Sequence, residues 1–77
     1  MDAYEYQGKF YDGRHGGAFD RGSADSYYHR PRRPHIYLGA TGSSPQINEE
    51  HMDPADVEAY NAGYDYNERF GDKKSWD

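Results

Sequence analysis

The sequence predicts a mostly α fold: a small two-helix domain with a long connecting loop and room for a short β-hairpin. Three observations carry that prediction. One stretch has a complete set of helix start and stop signals. A second stretch ends against a proline. Both contain an alanine and a glycine four residues apart, a spacing that places the two on one face of a helix.

The best-signalled helix is DPADVEAYNAGYDYNERF, residues 53–70. Asp53 is a strong N-cap residue, and Pro54 falls at the first helical position, where the missing N–H is one that no helix could pair. Asp56 falls at the third position, an acidic variant of the capping box, and Met52 with Val57 has the spacing of a hydrophobic staple. At 100° per residue Ala55, Ala59, Ala62, Gly63, Tyr66 and Phe70 share a face. Glu58, Asp65, Glu68 and Asp72 gather on the other side. Gly71 is the expected stop.

The other helix is predicted over AFDRGSADSYYHR, residues 18–30, ending before Pro31 because a residue preceding proline is pushed out of the helical region. Ala18–Gly22 and Ala59–Gly63 share one pattern: alanine, aromatic, Asp or Asn, any residue, glycine. A mid-helix glycine costs roughly 1 kcal/mol against alanine. Two at matching places therefore predict that the helices cross where Gly22 faces Gly63, backbone close to backbone.

Residues 31–52 read as a long connection, stiffened at its start by Pro31 and Pro34. HIYL is a candidate short strand, and GATGSSPQ has loop chemistry throughout. Residues 1–17 read as a flexible N-terminal arm, with Tyr4 and Tyr6 alternating as in a short strand. The single small domain then spans 18–77.

Composition limits the core. Ile36, Leu38, Ile47, Val57 and three phenylalanines are the only large aliphatic and Phe residues, against nine tyrosines and Trp76. So little Leu, Ile, Val and Phe is by itself a signature of disorder. Tyrosine is the counterweight, since its ring buries apolar area while the hydroxyl stays bonded. A thin core of Tyr, Phe and Ala follows, with Trp76 expected to fold back and cap it. Self-association or a partner would supplement it. There is no cysteine, hence no disulfide or Cys-based zinc site. No apolar run reaches membrane-spanning length and no signal peptide opens the chain, so a cytoplasmic protein without a membrane partner is expected.

No catalytic motif is present, and the expectation is a non-enzyme without cofactor or metal. The four histidines lack helical ligand spacing. GATGSS lacks the Gly-Lys-Ser/Thr ending of a phosphate loop and reads as a linker.

Charge is more informative. The net charge is −5, yet residues 1–47 carry six basic and five acidic side chains, while residues 48–77 carry nine acidic and three basic ones. The basic centre is SYYHRPRRPHIY. Tyr28, Arg30, Arg32, Arg33 and Tyr37 form one candidate partner-binding surface, and the stripe Glu58, Asp65, Glu68 and Asp72 forms a second. The alternative is that the two pair with each other, the arginines stacking on neighbouring tyrosines. Arg30 has a local reason to exist at a helix end, where the dipole favours positive charge. Arg32 and Arg33, between two prolines, have none. Direct nucleic-acid binding ranks below a protein partner, because the overall charge repels phosphate at long range.

The stretch Arg21-Gly22-Ser23-Ala24-Asp25-Ser26-Tyr27-Tyr28-His29-Arg30, followed by Pro34-His35, resembles small uncharacterised accessory proteins of tailed bacteriophages. So does Ala59-Tyr60-Asn61-Ala62-Gly63-Tyr64, followed by Gly71-Asp72 and Trp76. The resemblance spans residues 18–76. It implies a class of role: a modulator or inhibitor of a host protein or ribonucleoprotein complex, such as a CRISPR or other defence complex, or the transcription or translation machinery. The paired glycine-containing helices are also similar to ribosome modulation factor, a two-helix family that binds ribosomal RNA. The chain departs from that strongly basic family in being acidic.

Overall fold

A computed structural model describes residues 3–37 and 45–75. The element order is β1 (Ala3–Tyr6), β2 (Lys9–Asp12), α1 (Ala18–Tyr27), β3 (His35–Tyr37), β4 (Gln46–Asn48), a 3-10 turn (Glu49–His51) and α2 (Pro54–Phe70). The two helices pack on each other, and two separate antiparallel hairpins, β1–β2 and β3–β4, complete the domain. The fold is thus a mixed α/β domain, which corrects the mostly α expectation.

The helix crossing sets the geometry. A Cβ added at Gly22 would overlap the Tyr60 carbonyl oxygen and lie 2.9 Å from both the Tyr60 carbonyl carbon and the Tyr64 nitrogen. A Cβ at Gly63 would overlap the Phe19 carbonyl oxygen and lie 2.8 Å from its carbon. Each glycine therefore faces the backbone of the other helix, and a side chain at either position would force the helices apart.

Helix α1 ends at Tyr27, three residues before the expected end. Tyr28 donates its N–H to the Ala24 carbonyl, and His29 turns left-handed with φ 61°. α2 runs from Pro54, as its signals require. However, Asp53 makes no side-chain cap; its backbone carbonyl accepts the N–H groups of Asp56 and Val57. Gly71 ends the helix in extended backbone, φ −96°, not in a left-handed cap. The buried face is also rotated from the expected one. Tyr60, Ala62, Gly63 and Asn67 are buried, whereas Ala55 is exposed and Phe70 is 64 % exposed. Alanine is nearly indifferent to burial, so three alanines and a glycine did not define the face; the large ring of Tyr60 did.

Residues 3–12 of the predicted arm pair as β1–β2 in the register Tyr4↔Tyr11 and Tyr6↔Lys9, around a Gln7–Gly8 turn with both φ positive. Such turns match the right-handed twist of the strands. One face of the hairpin rests on the helices: Tyr4 and Tyr11 stack on Phe19 at 5.0 and 5.5 Å, and Tyr66 meets Tyr4 edge-on at 5.5 Å. Lys9 Nζ and Tyr11 OH both donate to Glu58 of α2. The connection 31–52 is likewise not structureless. Ile36 pairs with Ile47 across β3–β4, and Ile36, Ala18 and Tyr60 form the core on which Ile47 and Met52 pack. Trp76, expected as the cap of that core, lies outside the described residues, as does most of GATGSSPQ.

Two tests follow. Gly22→Ala and Gly63→Ala should each lower the thermal midpoint measured by circular dichroism, and Gly63→Leu should abolish the transition; overpacking of this kind costs about 1–3 kcal/mol or more, a large share of the roughly 4–12 kcal/mol available to a chain of this length. The hydrogen bond from Lys9, then that from Tyr11, holds the Glu58 carboxyl below the usual range. A depressed carboxyl stabilises the fold above its unfolded pKa, and that contribution is lost as pH falls through the folded value. Carbon-detected NMR should find Glu58 titrating below the ordinary glutamate range, and β1–β2 should detach at acid pH before the helices separate.

Candidate functional site

The arginine-rich segment leaves α1 and crosses the face of α2, and its backbone is held at Arg30 and at Arg33. Arg30 N–H donates to the Asp25 carbonyl at 2.8 Å, and Tyr64 OH donates to the Arg30 carbonyl at 2.7 Å. Arg33 N–H donates to Tyr60 OH at 3.0 Å, and the Arg33 carbonyl accepts from His35 Nδ1 at 2.8 Å. Pro31 and Pro34 restrict the chain between these bonds.

Beneath the loop lies a buried polar cluster. Asp25 is 3 % exposed. Its carboxylate accepts the Tyr60 hydroxyl and, at 3.3 Å, a hydrogen bond from Arg30. Arg21 approaches to 3.9 Å and His35 to 3.7 Å. Arg21 Nε donates to His35 Nε2 at 3.1 Å, so the ring hydrogen sits on Nδ1, which donates to the Arg33 carbonyl. Among the described residues, no buried side-chain nitrogen or oxygen lacks a partner. Burial, and next the bond to Asp25, raises the Tyr60 phenol above its ordinary range. A half-satisfied carboxylate here would be costly; a fully bonded one specifies how four elements meet.

The candidate residues divide. Tyr28, Arg30, Arg32 and Arg33 come together on the loop, with Arg30 over the Tyr28 ring at 4.8 Å and Arg32 over Tyr64 at 4.4 Å. Tyr37 joins them from β3, lining the same groove, with its hydroxyl bonded to Gln46. The acidic stripe does not form a separate surface. Asp65 pairs with Arg32, which also donates to the Asn61 carbonyl and side chain, and the Asp65 hydrogen bond raises the Arg32 pKa. Glu58 belongs to the first hairpin. Glu68 accepts from the buried Ser26 hydroxyl at 2.6 Å and from Lys73; the Lys73 bond, then that from Ser26, holds its pKa low. Asp72 offers its backbone carbonyl to Asn67. The charges of the loop and of the stripe thus pair largely within the chain, but Arg33 is among the cations left over: its guanidinium has no partner among the described residues.

Sequence reasoning missed Asp25, Tyr60, His35 and Arg21 as site-forming residues. A signal existed, because Arg21, Asp25 and Tyr60 lie in the two predicted helices and His35 in the basic segment, but nothing in a sequence separates a buried aspartate from a surface one. Among the described residues, no group of three or more His, Asp or Glu side chains is placed to hold a metal ion, and no helix is long and apolar enough to cross a membrane. No family model, curated protein or solved structure matches the chain.

Tyr60→Phe removes the hydroxyl that joins Asp25 to the loop. It should destabilise the domain by about 1–3 kcal/mol, the cost of buried groups left unpaired, and Arg33 N–H should become the most accelerated amide in hydrogen exchange. The raised phenol pKa also has a sign. Stability from neutral Tyr60 is complete below the unfolded tyrosine value of about 10 and is lost as pH rises toward the folded one. An ultraviolet titration should show Tyr60 ionising above the ordinary tyrosine range, together with unfolding.

Proposed function

We propose that this chain is a non-enzymatic modulator of the bacteriophage accessory type, which acts in the host cytoplasm by binding a host protein complex. Defence assemblies such as CRISPR effectors, and the transcription or translation machinery, are the candidate targets. The observation that carries the reading is the arginine loop: the Arg33 side chain is exposed, without a partner among the described residues, on a backbone pinned at Arg30 and Arg33. A rigid segment loses little freedom on binding, and an exposed arginine beside an exposed tyrosine is the composition of an interface hot spot.

The buried cluster supports a binding rather than a catalytic role. The side chains that resemble catalytic groups, Asp25, Tyr60 and His35, direct their hydrogen bonds to one another and to the backbone. An RNA-binding role of the ribosome-modulation type finds one favourable observation, four arginines lining a single groove. Arg32 is neutralised by Asp65 and Arg30 shares Asp25, so few positive charges remain to follow a phosphate backbone.

Tagged protein should retain a bacterial protein complex after nuclease treatment, and Arg33→Glu should lose it while melting like the parent chain. Capture that disappears with nuclease, or binding to oligouridylate that falls steeply with salt, would favour the RNA reading instead.

A further inference from the structure

The groove beside the loop has a volume of about 680 Å³ and is lined by Arg21, Arg30, Arg32 and Arg33, with Glu49 and Glu50 contributed by the 3-10 turn. A guanidinium carries five N–H donors. Arg32 directs its own to Asn61 and Asp65. Arg21 makes one hydrogen bond, to His35, and Arg30 makes one long bond, to Asp25. Arg33 makes none among the described residues. The single carboxylate in the floor, Asp25, is already bonded by Tyr60 and shared by Arg21 and Arg30. The groove therefore holds a surplus of donors on a fixed backbone, and the complement of that surplus is an acceptor-only group.

We infer that the groove is the receptor for an acidic peptide segment of the partner protein, with a carboxylate seated on Arg33 and Arg30 and a basic neighbour in the same segment directed to Glu49 and Glu50. The inference rests on the protein-binding reading above and specifies its ligand. Two observations select a peptide over a polyanion. Glu49 and Glu50 repel a phosphate chain running through the groove, and the net charge of −5 opposes it at long range. A carboxylate flanked by a lysine meets both signs. Arginine forks bind carboxylates bidentately, and here the forks stand on a loop that is already ordered, with Arg30 stacked on Tyr28.

The test is an NMR titration at low salt with a glycine-serine peptide that carries paired glutamates followed by paired lysines. The arms are the same peptide with glutamine for glutamate, and oligouridylate. The acidic peptide should move the Arg33 and Arg30 Nε–H resonances saturably, the glutamine peptide should not, and Arg33→Glu should weaken binding by at least about tenfold, the loss expected for charge-assisted hydrogen bonds. Glu49→Lys with Glu50→Lys should weaken the same peptide while strengthening one that lacks lysines. A peptide that leaves Arg33 unmoved, equal binding of the glutamine form, or preferential binding of oligouridylate overturns the inference. If the peptide is silent while Arg33→Glu still loses the captured complex, the protein-partner reading stands and the acidic-segment inference fails.

Discussion

The Tyr60 hydroxyl donates to Asp25 and accepts the backbone N–H of Arg33, so one oxygen joins α1, α2 and the loop that leads into β3. That oxygen can reach Asp25 only because the helices approach to backbone contact, which the two glycines allow. The glycines set the distance, and the phenol then fixes the relative placement of what the distance brings together. His35 follows from the same arrangement: its ring packs on Tyr60 at 5.6 Å and holds the Arg33 carbonyl, placing β3 over the core. Without the close crossing, Asp25 would be a buried carboxylate lacking its best donor, which is costly.

This arrangement answers a shortage. A 77-residue chain with so few aliphatic residues cannot fill an interior with hydrocarbon alone. Here the interior is shared. Phe19 and Tyr60 supply the apolar mass, while Asp25, Ser26, His35 and Asn67 are buried with them. Tyrosines at the edge stack on Phe19 through the first hairpin and keep their hydroxyls within reach of partners such as Glu58. The polar ends of these rings do not merely survive burial. They form the bonds that hold β1–β2, the arginine loop and β3 in place. The second polar group, Ser26 with Asn67 and Glu68, does the same for the C-terminal segment, whose Lys74 N–H donates to the Tyr27 carbonyl.

Much of the backbone plan is legible in the sequence. Asp53-Pro54 and the residues before Gly71 mark α2 to within a residue, and the matched Ala-x-x-x-Gly spacing locates the helix crossing. HIYL marks β3. The fold class is not legible, because β1–β2 is stabilised by ring stacking on Phe19 that periodicity does not encode, and because β4 has only Ile47 as an apolar residue. The end of α1 is overrun because histidine at a left-handed position carries no strong signal of its own. The site is half legible. Its arginines stand out as a cluster, while the carboxylate, phenol and imidazole that position them look like any surface Asp, Tyr and His.

The charge pattern gains its meaning from this split. Arg32 and Arg33 are adjacent, both lie between prolines, and neither is explained by the end of a helix. The structure separates them. Arg32 points back onto α2, where Asn61, Asp65 and the Tyr64 ring receive it, and so helps to fasten the loop. Arg33 contributes its backbone to the fold, through Tyr60 and His35, while its side chain remains exposed in the groove. The main chain of Arg33 is anchored twice while its charge has no partner among the described residues, so that charge is not spent on the fold, whereas fixing the main chain reduces what a ligand must order. The physical difference between the two arginines is therefore a division of labour: one positions the loop, and the other is what the loop positions.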